Sequence, residues 1–138
     1  MAILNELTLE ATIENLAQVM AFLEQHLEEA GCPLRTQMQI TVAAEEIYVN
    51  IASYAYAPGT GEATVRLEIT DDPASVIITF IDSGVQFDPL KKADPDITLS
   101  DEERGIGGLG IYMTKKSMDE VRYEYTDGKN ILTLMKYY

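Results

Sequence analysis

Three short groups of residues in this 138-residue chain have types and spacing that could do chemistry. The first is Glu46 with Asn50. A spacing of four places both on one face of a helix. A carboxylate there can serve as a general base, and an amide oxygen is a hard ligand suited to Mg²⁺. The second is Asp82-Ser83-Gly84, which follows an apolar run. A carboxylate at a strand end can accept a hydrogen bond from an exocyclic amine such as that of adenine, and Gly84 lets a flat ring approach the backbone. The third is Arg104-Gly105-Ile106-Gly107-Gly108-Leu109-Gly110. Glycines ahead of a helix leave backbone N–H groups open to an anion, and the helix dipole adds to the attraction. Taken singly, the same letters also describe a solvated helix face, an Asx turn and a flexible loop.

Other chemistries are excluded by count or context. The glycine run contains G-x-G-x-x-G, but the acidic stretch 94–103 precedes it rather than a strand, so a Rossmann site fails. No V-A-I-K or H-R-D segment accompanies it, which excludes a eukaryotic-type kinase, and there is no Walker A motif. Asp94-Pro95-Asp96 opens like a calcium loop, but Thr98 and Leu99 occupy positions that need a ligand and a glycine. One cysteine, Cys32, and one histidine, His26, permit neither an intrachain disulfide nor a His/Cys zinc site. His26 falls inside an amphipathic helical pattern, which speaks against a Ser-His-Asp triad. Ten basic residues against 23 acidic ones give a net charge of -13. That balance opposes binding to nucleic acid or to an anionic membrane. No apolar run approaches the roughly 20 residues of a membrane span, and the N-terminal stretch lacks the basic region of a secretory signal. A cytoplasmic protein is expected.

The elements that must position these groups follow from periodicity. With 46% hydrophobic residues, the chain is expected to form one domain over residues 1–138. Residues 4–9 read as an edge strand, and Thr12 offers an N-cap. Leu16, Val19, Met20, Leu23, Leu27 and Ala30 recur at helical spacing until Gly31 and Pro33 stop the pattern. A second helix is expected over 34–56, with Ile40, Ala43, Ala44, Ile47, Ile51 and Tyr54 as its apolar stripe. A breaker cluster, 57–61, leads to an alternating strand at 62–70. Residues 76–81 are apolar on both faces except for Thr79, as a central strand requires. The polar stretch 85–104 has no clear period and reads as a lid. A short helix over 109–118 follows, then a strand on Val121, Tyr123 and Tyr125, a turn at Asp127-Gly128 and a last strand at 130–137. The tyrosines near the end read as strand packing. Together these predict an α+β two-layer sandwich: a mixed, mostly antiparallel sheet of about five strands with three helices on one face.

In this order, the three groups resemble the Bergerat ATP-binding fold, shared by gyrase, heat-shock chaperones and histidine kinases (the GHKL type). Within that superfamily the chain is similar to the bacterial anti-sigma factor serine/threonine-protein kinases of partner-switching systems. Ala44-Glu45-Glu46-Ile47-Tyr48-Val49-Asn50-Ile51, Asp82-Ser83-Gly84-Val85-Gln86-Phe87-Asp88-Pro89 and Gly107-Gly108-Leu109-Gly110-Ile111 carry the match. The resemblance runs from about residue 7 to 136. It implies ATP and Mg²⁺ as cofactors, Glu46 as the base that activates the attacking hydroxyl, and Asn50 as the Mg²⁺ ligand. It also implies that Asp82 binds the adenine amine, that Gly84 backs the ring, and that Arg104, Gly105, Gly107, Gly108 and Gly110 serve the lid and phosphate cradle. The implied partners are an anti-anti-sigma factor as protein substrate, a sigma factor, and a second copy in a homodimer. The chain departs from the family pattern in three places: Gln86 replaces a frequent glycine, Tyr54 a frequent histidine, and Asn130–Ile131 a common threonine. The alternative is a non-catalytic switch that binds ATP and regulates its partner by occupancy. Glu46 favours the kinase, because binding alone needs no base.

Overall fold

The structure is a computed structural model, and it describes residues 3–71, 73–91 and 108–138. Five strands, β1 (Ile3–Glu10), β2 (Glu62–Asp71), β3 (Ala74–Asp82), β4 (Glu120–Thr126) and β5 (Lys129–Tyr137), form one sheet in the order β1-β2-β3-β5-β4. All four neighbouring pairs are antiparallel, so the sheet is uniform rather than mixed. Among the described residues there are three α-helices: α1 (Leu16–Glu29), α2 (Leu34–Asn50) and α3 (Gly108–Ser117).

The expected alternation of β2 is observed. Ala63, Val65, Leu67 and Ile69 are buried, while their neighbours Thr64, Arg66 and Glu68 are only half-buried. The apolar run at 76–81 lies at the centre of the sheet, as its two-sided hydrophobicity requires. Val76, Ile78 and Phe80 face the helices and join one core with Val19, Leu23 and Leu27 of α1 and Ile40, Ala44 and Ile47 of α2. Asp127 and Gly128 both take positive φ, 54° and 76°, and close the β4–β5 hairpin through a two-residue loop. Positive φ at both central positions matches the right-handed twist of the flanking strands.

Two further features differ from the expectation. The helix predicted over 34–56 changes character at its end: α2 is α-helical to Asn50 and π-helical over Ile51–Ala55. Thr12 precedes a 3-10 turn, Ile13–Asn15, and its side chain makes no capping bond. The fully buried Tyr48 supplies the partner instead. Its hydroxyl oxygen accepts the Thr12 N–H at 3.1 Å, and the hydroxyl donates to the Thr12 carbonyl at 2.7 Å. This ties the start of the chain to α2. No helix among the described residues is long and apolar enough to cross a membrane.

Candidate active site

The end of α2, the π-helical turn, the end of β3, residues 85–89, Tyr123 of β4 and the first half of β5 enclose a cavity of about 340 Å³. Its walls are mostly apolar, with Ile47, Ile51, Phe80 and Leu132 among them. Polar side chains also line it, among them Asn50, Asp82, Gln86 and Asn130. An apolar cavity with a few placed polar groups is the usual form of a small-molecule site. The π-helical turn contributes Tyr54 and Ala55 to the wall, and π-bulges recur at functional sites.

Asp82 ends β3 and is only 6% exposed. Its Oδ1 accepts the Gly84 N–H at 2.9 Å and an amide N–H of Asn130 at 3.0 Å. Its Oδ2 has no hydrogen-bond partner among the described residues, which leaves one acceptor to offer a ligand. The orientation of the Asn130 amide is fixed by its neighbours. Its Oδ1 accepts the backbone N–H of Phe87 at 3.1 Å and the Tyr123 hydroxyl at 2.5 Å. A backbone N–H can only donate, so the amide nitrogen must face Asp82 and the Val85 carbonyl, the latter at 2.9 Å. Burial pushes the Tyr123 hydroxyl pKa up, so it stays a neutral donor.

Gly84 meets a constraint of its own. A Cβ there would fall on the backbone carbonyl of Ala55, and Val85 N–H donates to that same carbonyl at 2.9 Å. The glycine lets the segment after β3 dock onto the end of the π-helical turn.

Glu46 opens to a different space. It is half-buried in a groove of about 670 Å³ between α2 and α3, where Gly110 stands opposite it. A Cβ on Gly110 would overlap the Glu46 carboxylate. Burial, and then the neighbouring charge of Glu45, raise the Glu46 pKa above the ordinary carboxylate value. A raised pKa is the direction a general base near neutrality requires.

Most of the residues singled out in the sequence therefore flank α2 and the end of β3. Asn50 and Asp82 line the cavity, Gly84 adjoins Asp82, Gly110 faces Glu46, and Gly108 begins α3. Arg104, Gly105 and Gly107, with most of the expected lid, lie outside the described residues. Asn130 and Tyr123 were not anticipated as site residues. One signal was available: Asn130 is a polar residue on the same strand face as Leu132 and Leu134, all three buried.

Among the described residues no cluster of three or more His, Cys, Asp or Glu could hold a metal by itself. The amide oxygen of Asn50 on the cavity wall suits Mg²⁺, which keeps water and phosphate ligands and needs only one or two from the protein.

Residues 9–136 match the family described as Histidine kinase-like ATPase domain, and the chain belongs to that family. It is 27% identical to serine/threonine-protein kinase BtrW of Bordetella bronchiseptica over 128 residues, covering 93% of this chain and 89% of that protein. It is 31% identical to serine-protein kinase RsbW of Bacillus licheniformis over 99 residues, covering 67% of this chain and 59% of the relative. An anti-sigma F factor of Caldanaerobacter subterraneus is 30% identical over 99 residues, which cover 72% of this chain and 68% of that protein. Two solved structures share the fold. The RsbU and RsbW domains of Rv1364c from Mycobacterium tuberculosis superpose with a TM-score of 0.69 at 22% identity, covering 97% of this chain and 32% of that one. The SiaB-SiaC complex from Pseudomonas aeruginosa gives 0.62 at 18% identity, covering 96% and 89%.

Proposed function

We propose that this chain is an ATP-dependent protein-serine/threonine kinase. It acts in the cytoplasm as an anti-sigma regulatory factor and phosphorylates an anti-anti-sigma partner. The carrying observation is the placement of Asn50 and Asp82 in one apolar cavity, with a carboxylate of raised pKa, Glu46, one helical turn from Asn50. The kinases among its relatives support the same reading.

In this reading each residue has a role. Asp82 Oδ2 accepts the exocyclic amine of adenine, while Asn130 and the Gly84 N–H hold Oδ1. The apolar walls take the ring. Asn50 holds Mg²⁺, which neutralises phosphate charge when bound. The N-terminus of α3, beginning at Gly108, faces the phosphates with Gly110, and Arg104, Gly105 and Gly107 complete that cradle. Glu46 takes the proton of the serine or threonine hydroxyl. A sigma factor is the second protein ligand. A second copy of the chain completes a homodimer, for which β1 supplies a free sheet edge.

The test is to incubate the protein with Mg-ATP and purified anti-anti-sigma proteins and to assay phosphoserine and phosphothreonine. Phosphorylation of at least one of them is expected. Control of partner affinity by ATP with no phosphorylation would replace the kinase by the occupancy switch.

A further inference from the structure

Beside its core stripe, α2 carries a second apolar stripe. Met38 and Val42 stand one turn apart and are 60% and 66% exposed. Met113 of α3, 55% exposed, faces them across the groove, and Val49 lines its far end. Three large apolar side chains more than half exposed in one concave groove are unlike the scattered single hydrophobics of an ordinary surface. Methionines suit such a surface because their side chains repack around a partner.

This groove is the space into which Glu46 opens, and Asn50 does not line it. The cavity holding Asn50 and Asp82 does not include Glu46. The carboxylate therefore divides two sites, one for a nucleotide and one for whatever brings the hydroxyl. Resting on the kinase reading above, we infer that the α2–α3 groove is the docking site of the protein substrate, in which Met38, Val42 and Met113 seat an apolar side chain beside the acceptor serine or threonine. In the transfer, the hydroxyl oxygen bonds to the γ-phosphorus and the bond from that phosphorus to the β-phosphate oxygen breaks. The hydroxyl proton goes to Glu46, and ADP leaves. The acceptor must then lie within reach of Glu46 on the side away from the base cavity, and the groove is continuous with that point.

Charge narrows the occupant further. Glu45 and Glu46 flank the groove, and the chain carries -13 overall. The docked segment should be free of acidic residues next to the acceptor and neutral or basic around it, since like charges across an interface penalise the wrong partner. A second copy of this chain brings another -13 and fits less well.

The probe is a purified anti-anti-sigma protein that the unmodified chain phosphorylates. Met38→Glu and Val42→Glu are each expected to lower kcat/KM for that protein about tenfold or more, mainly through KM, because a buried apolar anchor is a typical interface hot spot. Met38→Leu should retain most of the activity. ATP affinity and melting temperature should stay near those of the unmodified protein. Ile13→Glu, an exposed apolar position outside the groove, should change nothing. Undiminished kcat/KM in Met38→Glu and Val42→Glu overturns the groove assignment while leaving the kinase intact. A change of oligomeric mass in those variants overturns it in favour of self-association. If the unmodified chain phosphorylates no such protein, the kinase reading fails and the groove assignment falls with it.

Discussion

Asn130 donates an amide N–H to Asp82 Oδ1 at 3.0 Å, joining two buried side chains 48 positions apart in sequence. The same amide reaches Val85 and Phe87 on one side and Tyr123 on the other. One side chain thus connects the strand that carries Asp82, the proposed adenine acceptor, to the segment that follows it. Asn130→Leu keeps the volume but strips Asp82 Oδ1 of one of its two donors. A hydrogen bond to a charged group contributes about 1.5–3 kcal/mol, so ATP affinity should fall about tenfold and the denaturation midpoint should drop. Titration calorimetry and urea unfolding read the two effects. Unchanged ATP affinity would show that Asp82 needs no such support.

Gly110 meets Glu46 more closely than any other side chain could. In Gly110→Ala the added methyl overlaps the carboxylate and displaces it. A displacement of about 1 Å at a reacting group can cost on the order of 10²-fold in rate. The phosphorylation rate should drop by that order, while ATP affinity changes by a few-fold at most. Single-turnover phosphorylation with saturating nucleotide measures this. A rate equal to that of the unmodified protein would mean that the position of Glu46 does not matter.

The raised pKa of Glu46 has two pH consequences. The acid limb of the rate profile should lie above the ordinary glutamate pKa. Glu45 is the second cause of the shift, after burial, so Glu45→Gln should move that limb down without abolishing activity. For stability the sign is opposite to that of a salt-bridged carboxylate. With the folded pKa above the unfolded one, the contribution from Glu46 is present below the unfolded pKa and lost as pH rises through the folded value. Glu46→Gln should therefore be no less stable than the unmodified protein at neutral pH. Thermal melts at acid and neutral pH check this; a neutral-pH loss specific to the variant would contradict it.

Local pattern made most of the fold readable. Alternation identified β2, two-sided hydrophobicity placed β3 at the sheet centre, and Asp127-Gly128 marked the last hairpin. These signals act within a few residues, where periodicity has force. The site was readable only in part. Glu46, Asn50 and Asp82 stood out by residue type and spacing, but Asn130 and Tyr123 gain their roles from β5 pairing beside β3 and β4. The Asp127-Gly128 turn encodes the β4–β5 pairing, but nothing in the neighbouring letters encodes the pairing of β5 with β3. Gly84 and Gly110 were visible as glycines, yet what crowds them, the Ala55 carbonyl and the Glu46 carboxylate, comes from elements distant in sequence. The exposed stripe Met38–Val42 was hidden by the stronger core stripe on the same helix.

In the proposed mechanism Glu46 is the base of a protein kinase. Glu46→Gln keeps the side chain's length and removes its basicity. Measured side by side, ATP affinity should stay within a few-fold, while phosphorylation of the protein substrate falls by about 10²–10⁴-fold, the usual worth of a general base. Glu45→Gln, one residue away and exposed, should retain the rate near neutral pH. Equal rates for Glu46→Gln and the unmodified protein would contradict the claim.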